Sequence, residues 1–195
     1  MLRANCSHIN GILFTHEHAD HVAGLDDIRP FYFRQGPIPI YGHQRVINSL
    51  VKRFDYIFTD QKKYPGVPTL DIQVIENKPF QINGLTVLPV SGLHHKLQVF
   101  GFRFKDFAYL TDMQTVSDEE IKKIKNIKVL VVNALRHEPH ISHFNLEEAL
   151  AFIEKVKPER AYLTHISHLL GFHDDVEKQL PDHVFLAYDT LQINL

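Results

Sequence analysis

Thr15-His16-Glu17-His18-Ala19-Asp20-His21 follows an apolar run over residues 9–14 and precedes a helix-like segment over residues 22–29. In an extended backbone alternate side chains share one face, so His16 and His18 project together from the end of a strand and can grip one metal ion. Asp20 and His21 fall where the chain turns into the helix and approach from another direction, able to hold a second ion or the far side of the same one. Three imidazoles and a carboxylate within six residues suit zinc or another borderline first-row ion. A lone histidine after a strand would read as a surface residue, and Asp20 alone as a helix N-cap. Four candidate ligands at this spacing, directly behind an apolar strand, read as a metal site.

The composition around this motif is that of a globular domain. The chain has 195 residues, 44% of them hydrophobic, enough for one domain, 1–195, with a substantial core. A net charge of -2 gives no global pull toward nucleic acid or an anionic membrane. No apolar run approaches a membrane span, and the N-terminus lacks a secretory pattern. The single cysteine, Cys6, excludes an internal disulfide and a cysteine-built metal site, and fits a reducing cytoplasm. Fourteen histidines exceed what packing needs and cluster near turns, a pattern that fits imidazole ligation.

Farther along, a strand is expected over 38–41, where Pro37 and Pro39 mark an edge or a strand start, and a helix over 43–54 with Val46, Ile47, Leu50, Val51 and Phe54 inward. Residues 55–70 lack periodicity and read as a loop over the site. Strands follow over 72–76, 79–82 and 85–90, with a hairpin signal at Asn83-Gly84, then over 99–104 and 107–110 around Lys105-Asp106. A capping box at Ser117 opens a helix to about 126, and residues 129–132 form a buried strand. Asn145 with Glu148 starts another helix, with Leu146, Ala149, Leu150, Ile153 and Val156 on one face, which Pro158 ends. A strand over 160–164, a short helix over 174–180 and a final hairpin of 184–188 with 191–195 complete an α/β, mixed-sheet sandwich flanked by helices.

More ligand types stand at strand ends. His94 and His95 follow the strand ending at Val90, and chemistry alone does not separate them. Asp112 finishes an apolar strand, where alone it would be a helix cap, and His165 closes Ala161-Tyr162-Leu163-Thr164 in the same way. His143 stands just ahead of Asn145 and could simply shield that helix start.

The His-x-His-x-Asp-His run with Val22-Ala23-Gly24-Leu25-Asp26-Asp27 behind it resembles the signature of the metallo-β-lactamase fold superfamily. Within it the chain looks like the phosphodiesterase branch that includes phosphoribosyl cyclic phosphate phosphodiesterase and, more distantly, ribonuclease Z. The resemblance implies a metallo-β-lactamase-type αββα sandwich lacking the N-terminal strands of the first sheet, since family members carry a Gly-rich first strand and further strands ahead of the motif; a late start is expected rather than a variant without part of that sheet, because residues 1–5 look like the interior of a family member. It implies two divalent ions, zinc first, with manganese or iron accepted by the same ligands. His16, His18, His94 and Asp112 would surround one, and Asp20, His21, Asp112 and His165 the other. Asp112, matched by Tyr109-Leu110-Thr111-Asp112, would bridge the pair and offset the repulsion of two dications about 4 Å apart. His94 rather than His95 matches the family ligand. His143 matches the proposed proton donor to the leaving oxygen, Asp20 would also orient the attacking water, and His137 and His140 flank His143 and could bind the substrate phosphate. His168 matches a structural-zinc ligand of relatives whose cysteine partners this chain lacks.

The implied activity is hydrolysis of a small cyclic phosphodiester in the cytoplasm, with no membrane or nucleic-acid partner and with a homodimer compatible. A ribonuclease Z-like hydrolase would need an RNA-gripping arm, and no long basic or glycine-rich insertion is visible. A non-catalytic metal-binding fragment is the rival from another class. The lysines at 122, 123, 125 and 128 lie on an amphipathic helix without interleaved aromatics and read as a solvated face.

Overall fold

The structure is a computed structural model that describes residues 5–59 and 64–195. Expectations on residues 1–4, and on 60–63 within the loop over 55–70, lie outside the described residues. The chain falls into two compact units, Met1–Gly84 and Leu85–Leu195.

In the first unit, β1 (Ile12–Leu13), β2 (Ile38–Gly42) and β3 (Leu70–Val74) form a parallel sheet in the order β1-β2-β3. Pro39 therefore sits in the central strand, not at an edge. Ile38 and Gly42 bond toward β3, through Ile38 N–H to the Thr69 carbonyl and Ile75 N–H to the Gly42 carbonyl, so the nitrogen of Pro39 faces β1. β1 pairs only from Ile12 opposite Ile40 onward, so the missing donor of Pro39 falls beyond its end. The expected strand over 9–14 is thus cut to two residues. The helix begins earlier than expected, with α1 (Ala19–Val22) and a 3-10 turn over Ala23–Ile28. Beyond it lies an unanticipated α2 (Arg29–Gln35), where Pro30 occupies the first turn that tolerates it. α3 (Gln44–Arg53) packs Val46, Ile47 and Leu50 against Ile38 and Ile40, while Val51 faces out. α4 (Asp55–Phe58) occupies part of the segment read as loop. β4 (Phe80–Ile82) stacks Phe80 on Tyr41 at 5.3 Å. It leads into Asn83 and Gly84, whose φ values of 47° and 80° suit a tight hairpin turn.

The second unit contributes β5 (Leu85–His94), β6 (Leu97–Phe104), β7 (Phe107–Leu110), β8 (Val129–Asn133), β9 (Arg160–Thr164) and β10 (Val184–Leu186) to a sheet ordered β10-β9-β8-β7-β6-β5. β5, β6 and β7 are antiparallel neighbours, whereas β7 to β10 are parallel. Between β7 and β9 every residue of β8 is buried, as a continuous apolar run at the centre of a parallel array should be. β5 is longer than expected and ends on His94 itself, whose partner across the hairpin is Leu97. Helices α5 (Asp118–Lys122), α6 (Leu146–Val156) and α7 (His173–Glu177) complete the unit. α6 turns Ala149, Phe152, Ile153 and Val156 into the core, with Leu146 and Leu150 only partly covered. The expected C-terminal hairpin is absent. β10 pairs in parallel with β9, and Leu191 and Ile193 pack without strand pairing against Val129, Val131 and Tyr162.

Candidate metal centre

In the first unit the motif ends β1 and enters α1. His18 is the extended N-cap residue, and the His16 ring lies 4.6 Å from that of His18 and 4.3 Å from that of His21. His16 is fully buried, with its Nδ1 3.0 Å from the Thr15 hydroxyl, which leaves Nε2 as the nitrogen that would ligate. The helical turn brings His21 back onto His16, and the Asp20 carboxylate sits 3.1 Å from His21 Nε2. Glu17, the other acid of the motif, is drawn away to Arg45 of α3 at 3.3 Å. The four expected ligands of this stretch therefore cluster, and the intervening acid does not join them.

The second unit gathers its own set. His94 is buried at the end of β5, while His95 is exposed in the turn at φ 56°, which separates the two histidines that composition left equivalent. The Nδ1–H of His94 donates to the Ser142 carbonyl at 2.8 Å, so Nε2 is the nitrogen that would ligate a cation. Asp112 follows β7 and Thr111 with φ 60°, and His165 follows β9 with φ 53°. Left-handed backbone costs a non-glycine residue about 1 kcal/mol or more, so two such residues at the ends of the strands on either side of β8 mark positions held for what their side chains do. The Asp112 carboxylate is 2% exposed, with His165 Nδ1 3.0 Å from Oδ1 and His143 Nε2 3.4 Å from Oδ2, and it accepts from the Thr111 hydroxyl at 2.7 Å. The His143 ring stacks on His165 at 4.9 Å and meets His94 edge-on at 4.4 Å. A buried carboxylate ringed by imidazoles is a donor set that a divalent cation fits.

Supporting residues escaped the sequence reading. Asn133 closes the apolar run of β8, where its amide group pairs with both the N–H and the carbonyl of Met113 at 2.8 and 2.9 Å, fixing the chain just past Asp112. An amide at the end of a buried strand was the available signal. Gly92 lets the same segment come close to β5, since a Cβ there would lie 2.8 Å from Met113 Sδ and 3.1 Å from the Thr115 carbonyl. His140, already singled out in the sequence, lies 3.1 Å from His143 through their Nδ1 atoms and is held below the ordinary imidazole pKa first by burial and then by His143 and Arg136.

A family model described as a Beta-lactamase superfamily domain matches residues 2–166, and the chain belongs to that family. Exodeoxyribonuclease YycJ of Bacillus anthracis is 36% identical over 201 residues, covering 98% of this chain and 68% of that protein. Octanoyltransferase of Porphyromonas gingivalis is 35% identical over 193 residues, of which this chain spans 98% of itself but only 39% of that protein. Among solved structures, a diphosphatase from the PhnP family superposes with a TM-score of 0.90 at 32% identity, over 100% of this chain and 74% of that one. Human tRNase Z, short form, at 19% identity and a TM-score of 0.66, covers 98% of this chain and 80% of its own and shares the fold. The fold is the metallo-β-lactamase fold with two sheets, on its phosphodiesterase branch, and the class it defines is that of metal-dependent hydrolases.

Proposed function

We propose that this chain is a dinuclear metal-dependent phosphodiesterase that hydrolyses a small, cyclic phosphodiester of the phosphoribosyl type, acting as one hydrolase domain in the cytoplasm. His16, His18, His94 and Asp112 would hold one ion, and Asp20, His21, Asp112 and His165 the other, zinc being the first choice and manganese or iron compatible. The observation that carries the reading is Asp112, a buried carboxylate in strained backbone with an imidazole against each oxygen.

The bound cations supply Lewis-acid neutralisation of the non-bridging phosphoryl oxygens and acidify a water. The chain's own groups do the rest. The Ser142 carbonyl orients His94, and Asn133 keeps the Asp112 turn in place. Asp20 orients the attacking water by accepting its hydrogen bond. His143 carries a proton on Nε2 to the departing oxygen, on the side facing Asp112.

The relative named as an exodeoxyribonuclease supports a second reading, a DNA exonuclease. The net charge of -2 and the engagement of Lys123 with Glu120 and the Pro89 carbonyl weigh against a track for a long polyanion. Metal per chain, measured together with hydrolysis of bis(p-nitrophenyl) phosphate, phosphoribosyl 1,2-cyclic phosphate and end-labelled single-stranded DNA, tests the assignment. Two ions and turnover of the cyclic phosphate are expected. Nucleotide release from DNA without cyclic-phosphate turnover would overturn it in favour of the exonuclease, and stoichiometric metal without any turnover would favour a binding protein.

A further inference from the structure

Beside His143 lies a polar group that the proposed chemistry leaves unused. The loop ahead of α6 is tied down by its own hydrogen bonds: Arg136 donates to the Glu138 and Pro139 carbonyls at 3.2 and 2.8 Å, and the Asn145 amide to the His137 carbonyl at 3.1 Å. This loop presents His140. Its Nδ1 lies 3.3 Å from the backbone N–H of Ser142, and a backbone amide can only donate, so His140 Nδ1 is the bare, accepting nitrogen of the ring. The same atom is 3.1 Å from His143 Nδ1. Two bare nitrogens do not bond, so the hydrogen between them belongs to His143. The Ser142 hydroxyl, 3.1 Å from His143 Nδ1 and 3.2 Å from His140 Nδ1, accepts a share of the His143 Nδ1–H and leaves that polarity unchanged.

We infer that His140 is a positioning residue, whose Nδ1 accepts the Nδ1–H of His143 and so keeps His143 Nε2 as the nitrogen that exchanges its proton toward Asp112. The inference rests on His143 being the proton donor. An imidazolium that gives up its Nε2 proton must keep the one on Nδ1, and an acceptor at Nδ1 stabilises both forms. Carboxylates serve histidines in this way in hydrolytic triads. A neutral imidazole does so without placing a further negative charge beside an anionic phosphodiester. The depressed pKa of His140, from burial first, keeps it an acceptor.

The experiment compares wild type with His140→Ala and with His140→Asn, whose Oδ1 replaces the accepting Nδ1. Two-bond proton–nitrogen NMR of the imidazoles in the zinc-loaded chain should show His143 protonated on Nδ1 in wild type and His140→Asn, and moved toward the Nε2–H tautomer in His140→Ala. A wild-type His143 with a bare Nδ1 would overturn the inference whether or not any variant folds. In kinetics, kcat for adenosine 2′,3′-cyclic phosphate, whose leaving alkoxide needs a proton, should fall roughly tenfold to a hundredfold more in His140→Ala than kcat for bis(p-nitrophenyl) phosphate, and recover in His140→Asn. Equal losses on both esters, or a raised KM with kcat kept, would make His140 a structural or substrate-binding residue instead. A wild type that cleaves neither ester removes the phosphodiesterase reading, and the tautomer measurement still decides the role of His140.

Discussion

Asp112 and His165 share an unusual conformation, each a non-glycine residue at the end of a parallel strand with positive φ. Alternation along a strand would send these side chains to one face or the other of the sheet, whereas the left-handed turn swings them off its end. That the two residues were ligand types at strand ends was legible in the sequence, but their backbone was not, because nothing in Leu110-Thr111-Asp112 or Leu163-Thr164-His165 dictates a left-handed residue. Asparagine tolerates this conformation, so Asp112→Asn should fold within about 1 kcal/mol of wild type while hydrolysis of bis(p-nitrophenyl) phosphate falls at least about a hundredfold. Circular dichroism melting and turnover read the two effects separately. A second residue-scale prediction concerns Asp26, which accepts from Arg29 Nε and Nη2 at 3.1 and 2.7 Å and from the Tyr56 hydroxyl at 2.5 Å, while Arg29 also donates to the Gly66 carbonyl at 3.0 Å. The Arg29 bond, then the Tyr56 bond, hold the Asp26 carboxyl below its ordinary range. A folded-state value below the unfolded one gives stability that is complete above the unfolded pKa, about 3.9, and is lost as pH falls through the folded value. The stability gap between wild type and Asp26→Asn should therefore be constant from pH 5 to 7 in melts, by about the same margin throughout, and close below about pH 4. Tyr56 is shifted the other way, upward, first by burial and then by its bond to Asp26, so its share is intact below about pH 10 and lost above it.

At the scale of elements, reading succeeded where one strong local signal acted alone. Asn145 and Glu148 form a reciprocal capping box, with Glu148 N–H to Asn145 Oδ1 at 2.8 Å and Asn145 N–H to Glu148 Oε2 at 2.9 Å, and α6 starts where they say. Reading failed where tertiary pairing decides. Leu191 to Leu195 has strand-like composition, yet β10 finds its partner in β9, and the final residues are left to pack as irregular chain. Pro39 reads as marking an edge or a strand start and Pro30 is not singled out, but the first sits opposite the end of a short strand and the second in a helix first turn, both places where a missing N–H costs little. α6 offers a paired test. Asn145→Ala removes the cap and the bond to the His137 carbonyl and should lower stability by about 1–2 kcal/mol. Lys157, just past the helix end at φ 57°, is exposed, and Lys157→Gly should raise stability by about 0.5–1 kcal/mol because glycine adopts that conformation freely. Chemical denaturation of the two variants would show opposite shifts in midpoint, and a fall in both would mean the helix end is held by something other than its caps.

For the whole molecule, the members of the proposed centre are scattered along the sequence, His16, His18, Asp20 and His21 near its start and His94, Asp112 and His165 far beyond them. Recognising the N-terminal motif needed only seven consecutive residues. Linking it to ligands some seventy to one hundred and fifty positions away rested on family resemblance, because no periodicity connects them. The proposed ligand sets carry a thermodynamic consequence. A cation that binds the folded chain and not the unfolded one stabilises it by about 2.7 kcal/mol at a free concentration one hundred times its dissociation constant. If His16 and His94 belong to one ion's ligand set, removing either imidazole must weaken the same binding event. Added zinc should therefore raise the melting temperature of wild type and chelation should lower it. His16→Ala and His94→Ala should each lose the same large part of that zinc-dependent rise, although their zinc-free melts need not agree. A variant that keeps the full zinc shift, while the other loses it, would remove the proposed ligand set. Loss in both, with a titration endpoint of two ions in wild type, is the outcome that the proposed centre requires.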